Sequence, residues 1–137
     1  MEETYVASGQ VRVGYLHFAF LGPESVRAAE ASECAAEQDA FWPYHDELFA
    51  RQTQSGAFSD EGLNQIAADL GLDTAAFAEC LTSGRYADLV AQDTALARSL
   101  QIGSTPTFLI NGQVVTGAVD LPIFEQVFQQ LGAQGTP

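Results

Sequence analysis

Two cysteines, two histidines and the Thr105-Pro106 step are the residues of this 137-residue chain whose types could do chemistry. Cys34 and Cys80 stand 46 positions apart. They therefore cannot form a Cys-x-x-Cys pair, in which a helix N-terminus and a neighbouring thiol lower the pKa of the attacking sulfur. Neither has Lys, Arg or His within its own helical turn to stabilise a thiolate. Ala31 and Ala35 flank Cys34, and Phe77 and Leu81 flank Cys80, surroundings that suit small buried thiols. His17 and His45 are the candidate acid-base groups near neutral pH. His45 lies in Trp42-Pro43-Tyr44-His45-Asp46 and is read as packing and hydrogen-bonding within a helical region. No third ligand at a suitable spacing joins either histidine, so neither a metal nor a cofactor is expected. Spacing alone reads Thr105-Pro106 as a trans step opening a strand, since only about 5 to 6% of X-Pro bonds are cis.

The elements that must position these residues follow from periodicity. Residues 11–20 are rich in Val, Tyr, Phe and Leu and end at Gly22-Pro23, which predicts a buried strand and a turn. Residues 24–101 then read as helical. Residues 25–38 are full of Ala and Glu, and residues 41–52 place Phe41, Tyr44, Leu48 and Phe49 near one face. Ser59 caps the next helix, whose stripe is Leu63, Ile66, Ala67 and Leu70 and whose stop is Gly71. Asp73 caps a short helix carrying Phe77, Cys80 and Leu81. Gly84 leads into a longer one carrying Tyr86, Leu89, Val90, Leu96, Ala97 and Leu100. Residues 107–110 and 113–116 flank Asn111-Gly112, a dipeptide suited to the positive φ angles of a type I′ turn, and predict a β-hairpin. Asp120 caps a last helix whose stripe of Leu121, Phe124, Val127, Phe128 and Leu131 calls for an apolar surface, most simply the hairpin. Residues 132–137 are expected to fray.

Three stretches resemble the DsbA-like family of thiol-disulfide oxidoreductases and together span nearly the whole chain. The first runs from Gly9-Gln10-Val11-Arg12-Val13 into Leu21-Gly22-Pro23-Glu24-Ser25-Val26-Arg27. The second joins Glu33-Cys34-Ala35-Ala36-Glu37-Gln38 to Phe41-Trp42-Pro43-Tyr44-His45-Asp46-Glu47-Leu48-Phe49, similar to that family's helical-insertion signature. The third joins Cys80-Leu81-Thr82-Ser83-Gly84-Arg85-Tyr86 to Ile102-Gly103-Ser104-Thr105-Pro106-Thr107-Phe108, similar to its cis-proline loop and hairpin.

The resemblance implies an α/β, thioredoxin-like domain of DsbA type over residues 1–137. It would comprise a strand at 11–20, a helical insertion at 24–101, and the cis-proline loop, hairpin and final helix at 105–131. It implies a cis Thr105-Pro106 peptide, with Ser104, Thr105 and Pro106 docking an extended protein or peptide thiol or disulfide substrate. Paired cysteines at matching places in the family imply a structural disulfide between Cys34 and Cys80, which an oxidising compartment would sustain. At the His17 position the family more often carries an acid. No residue is expected to be catalytic, because the family's first strand and Cys-x-x-Cys helix would both precede Thr4. That strand would be central, between residues 13–18 and 107–110. A gap there costs unpaired backbone groups in a domain whose net stability is only about 5 to 15 kcal/mol. The expectation is therefore a truncated reading frame, a homodimer formed by strand exchange, or a rearranged sheet.

Charge narrows the partners. Eighteen acids against five arginines and no lysine give a net charge of −13, which would repel a phosphate backbone, so nucleic acid is not expected. The first ten residues carry two glutamates and no signal-like apolar run. Localisation stays open, although the resemblance points to the cell envelope. Three functions compete: the thiol-disulfide oxidoreductase; a redox-inactive module that holds a peptide or partner at Thr105-Pro106; and a relative of the isomerases and kappa-class glutathione transferases. The last is disfavoured because residues 116–120 lack the expected aromatic and basic groups.

Overall fold

The computed structural model describes residues 2–132. The expected frayed tail lies, past Gly132, outside the described residues. Chain contacts divide the molecule into two compact units: Met1–Leu16 with Arg98–Pro137, and His17–Ala97.

The second unit is helical. It holds α1 (Pro23–Ala36), α2 (Phe41–Arg51), α3 (Asp60–Asp69), α4 (Thr74–Thr82) and most of α5 (Ala87–Ser99). Pro23 opens α1 at the position where a missing N–H costs nothing. Its buried face is built of small residues, Ala31, Cys34 and Ala35, which lets α2 and α4 approach closely. Tyr44, Leu63, Ile66 and Phe77 fill the centre between them. Ser59 caps α3 as expected, its Oγ accepting from Gly62 N–H at 3.1 Å. Asp73 caps α4 by accepting from Ala75 and Ala76 N–H, each at 3.0 Å. Gly62 has no room for a side chain, because a Cβ there would overlap the carbonyls of Gly56 and Ala57. Arg27 laces three segments together, donating to Glu30, to Asp60 and to the Leu81 carbonyl.

The strand expected over residues 11–20 is not formed. A strand needs a ladder, and here the backbone is satisfied differently. His17 N–H donates to Asp93 Oδ2 at 3.1 Å and Ala19 N–H to Thr94 Oγ1 at 3.2 Å. The amides of His17 and Ala19 are thus taken up by side chains on α5. The stripe expected on α5 is also corrected: Val90, Thr94 and Ala97 are buried, whereas Leu89, Leu96 and Leu100 are exposed. Likewise Phe49 of α2 is exposed, although its companion Tyr44 is fully buried.

The first unit pairs β1 (Thr107–Ile110) with β2 (Gln113–Thr116), antiparallel, with Ile110 opposite Gln113 and Phe108 opposite Val115. Asn111 and Gly112 take φ values of 46° and 91°, as a type I′ turn demands. The final helix, α6 (Leu121–Gly132), begins directly after Asp120. Its Phe124 is buried, edge-on to Phe108 with ring centroids 4.8 Å apart, so the helix does pack on the hairpin. A short π-helical turn, Glu2–Val6, completes the unit. Tyr5 from this turn lies against Phe128, centroids 5.2 Å apart, and its hydroxyl donates to Glu125 at 3.1 Å.

Candidate functional site

The Thr105-Pro106 peptide is cis. Two hydrogen bonds hold the surrounding loop in shape. Thr107 Oγ1 donates to the Ser104 carbonyl at 2.7 Å, and Gly117 N–H donates to the Pro106 carbonyl at 2.7 Å, tying the loop to the far end of β2. Ser104, Thr105 and Pro106 are all exposed. The local sequence accounts for this shape: the Asn111-Gly112 turn sets the hairpin register, and the register brings Gly117 level with Pro106. Phe108, one step beyond Thr107, anchors the hairpin to Phe124.

Cys34 and Cys80 are joined in a disulfide between α1 and α4, each about one per cent exposed. Both cysteine sulfurs are thereby placed in the core of the helical unit. His17 is buried, its Nε2 2.8 Å from Glu33 Oε1, with its ring edge-on to Phe41. His45 pairs through Nδ1 with Asp46 at 3.0 Å and contacts the rings of Trp42 and Phe49. Among the described residues no group of three or more His, Cys, Asp or Glu side chains could hold a metal ion. Sequence reasoning had no signal for Asp93 and Thr94, because a side chain that accepts a distant backbone amide leaves no periodic trace.

A cis X-Pro peptide heading a β-hairpin, a helix on that hairpin and a separate helical unit define the class as thioredoxin-like. Residues 1–130 match the Thioredoxin family, and the chain belongs to that family. The chain is 42% identical over 91 residues to the Na(+)/H(+) antiporter NhaA 3 of Salinispora tropica, a match covering 66% of this chain and 14% of that protein. It is 27% identical over 126 residues to the probable disulfide bond formation protein D of Bacillus anthracis, covering 88% of this chain and 58% of that protein. The crystal structure of oxidised BdbD from Bacillus subtilis is similar in fold, with a TM-score of 0.83, 24% identity, and coverage of 94% of this chain and 72% of that one. The chain thus spans less than two thirds of the length of these two curated relatives. Among the described residues no helix is long and apolar enough to cross a membrane.

Proposed function

We propose that this chain is the substrate-docking part of a DsbA-type thiol-disulfide exchange protein. It holds an extended segment of a protein substrate along Ser104-Thr105-Pro106, and the exchange itself requires a Cys-x-x-Cys that residues 1–137 do not contain. The observation that carries this reading is the exposed cis Thr105-Pro106 peptide, braced from Thr107 and Gly117. A braced, exposed backbone loses little entropy when an extended chain pairs with it, and main-chain hydrogen bonds then supply affinity with little demand on sequence. The resemblance to disulfide bond formation proteins supports the same substrate class and an extracytoplasmic setting. The test is an amide NMR titration with an extended peptide whose single cysteine is S-methylated. Shifts confined to residues around 104–107, and lost in Pro106→Ala, are expected; shifts elsewhere, or none, would sink the docking role. The chain alone should not reduce insulin disulfides.

A second reading has one observation in its favour. Both cysteines are locked in a buried disulfide, and a 91-residue stretch is 42% identical to part of a protein named as an Na(+)/H(+) antiporter. On that reading the chain is a redox-inactive module that holds a peptide or partner. The reading frame upstream of Met1 separates the two: an apolar strand and Cys-x-x-Cys support exchange, and an immediate stop codon supports the binding module.

A further inference from the structure

Asn111-Gly112 bends the hairpin, and the same pair of residues can react with itself. We propose that it is a self-modification site: the Gly112 amide nitrogen attacks the Asn111 side-chain amide, and the isoaspartate that results loosens the hairpin from its tip. Asn111 and Gly112 are both exposed. Apart from its chain neighbours, nothing lies within 4 Å of where a Gly112 side chain would begin, so no group shields the nitrogen. A two-residue turn makes Ile110 and Gln113 its closing hydrogen-bonded pair, which leaves the Gly112 N–H outside the ladder. Among the described residues neither that N–H nor the Asn111 side chain makes a hydrogen bond. The tip lies beyond the last ladder pair, so the reacting atoms reach one another by local opening of the turn, without unfolding of the sheet.

The step balances without an oxidant or a reductant. The Gly112 nitrogen gives up its proton and forms a bond to Asn111 Cγ. The bond from Cγ to Nδ2 breaks, and ammonia leaves with that proton. Water then opens the cyclic imide. Addition at Cγ restores the original main chain with an aspartate at this position, whereas addition at the main-chain carbonyl routes the chain through the former side chain, as isoaspartate. Either product carries a further negative charge. Isoaspartate also adds a carbon to the main chain, so the two-residue geometry at φ values of 46° and 91° is lost. Asn64, the other asparagine, sets the contrast. Its Nδ2 donates to the Asp60 carbonyl at 2.7 Å, and the next amide, that of Gln65, lies inside α3, where helix hydrogen bonding and a side chain both guard it.

The test is ageing of the whole chain in mildly alkaline buffer, read by peptide mass spectrometry and by enzymatic methylation of the α-carboxylate that isoaspartate exposes. Asn111 should convert about tenfold faster than Asn64 or more, tenfold being the factor for about 1.4 kcal/mol of protection. In the aged chain, hydrogen exchange at the Ile110 and Gln113 amides should quicken most. Exchange should quicken less at Gly117, whose N–H reaches the Pro106 carbonyl at 2.7 Å from the far end of the ladder. Asn111→Gly leaves a Gly-Gly pair that the same turn accepts and removes the side-chain amide. Its hairpin amides should exchange at an unchanged rate after the same ageing. A synthetic peptide of residues 107–116 is the unfolded reference. Four results each overturn the proposal: an Asn111 that stays intact in the folded chain while the peptide converts, conversion of Asn64 first, hairpin exchange unchanged in the converted chain, or equal quickening in Asn111→Gly. None of these results bears on peptide docking at residues 104–106, which the NMR titration decides separately.

Discussion

Cys34 and Cys80, 46 positions apart along the chain, hold their Cα atoms 5.8 Å apart where α1 meets α4. Closing a loop of that length restricts the unfolded chain, and the chain-entropy model assigns it about 4 kcal/mol. The double variant Cys34→Ser, Cys80→Ser should therefore lower the urea unfolding free energy by about 2 to 5 kcal/mol. The native chain should show no thiol to a thiol reagent until it is both reduced and unfolded. A reduced chain with undiminished stability would remove the disulfide from the structural account.

Arg85 Nη1 donates to both carboxylate oxygens of Glu37, at 2.8 and 2.7 Å, and the Tyr86 hydroxyl donates to Oε1 at 2.8 Å. The Arg85 bonds first, and then Tyr86, hold the Glu37 carboxyl below its ordinary range. Because the folded value lies below the unfolded one, the contribution is present above the ordinary glutamate pKa and disappears as pH falls through the depressed value. The stability gap between wild type and Arg85→Gln should be open at neutral pH and close below about pH 4. Urea midpoints measured from pH 7 to pH 2 check this, and a gap unchanged at pH 2 contradicts it.

Tyr44 is fully buried and its hydroxyl donates to the Leu63 carbonyl at 2.9 Å, joining α2 to α3. Burial pushes its phenol pKa well above the usual value. Tyr44→Phe keeps the ring in place and removes only this bond, so a loss of about 1 kcal/mol is expected in urea unfolding. Tyr44→Ala, which also empties the centre of the helical unit, should cost about 3 to 5 kcal/mol. Equal losses for the two variants would mean that ring packing contributes little.

Asp93 and Thr94 accept the amides of His17 and Ala19. Asp93→Ala and Thr94→Val should each speed hydrogen exchange at the matching amide by about tenfold, the factor for 1.4 kcal/mol. Amides inside β1 and β2 serve as the unchanged reference. Unaltered exchange at His17 in Asp93→Ala would show that another group satisfies that amide.

The caps, turns and most buried faces are written locally in the sequence. Ser59 and Asp73 act on amides two or three residues away, Asn111-Gly112 bends its own hairpin, and Leu63, Ile66 and Ala67 share a face by helical period alone. The cis Thr105-Pro106 loop was legible from its family resemblance and not from its spacing, since proline by itself favours trans. Tertiary structure decided what depends on neighbours far along the chain. Residues 11–20 have a strand's composition, yet they form no strand in the described structure, and side chains of α5 accept the amides of His17 and Ala19. Leu89, Leu96 and Leu100 follow an apolar rhythm as regular as that of α3, but a stripe is buried only where another element meets it. A residue's type limits what it can bury or bond, and what it does bury depends on the surface that the rest of the chain brings to it.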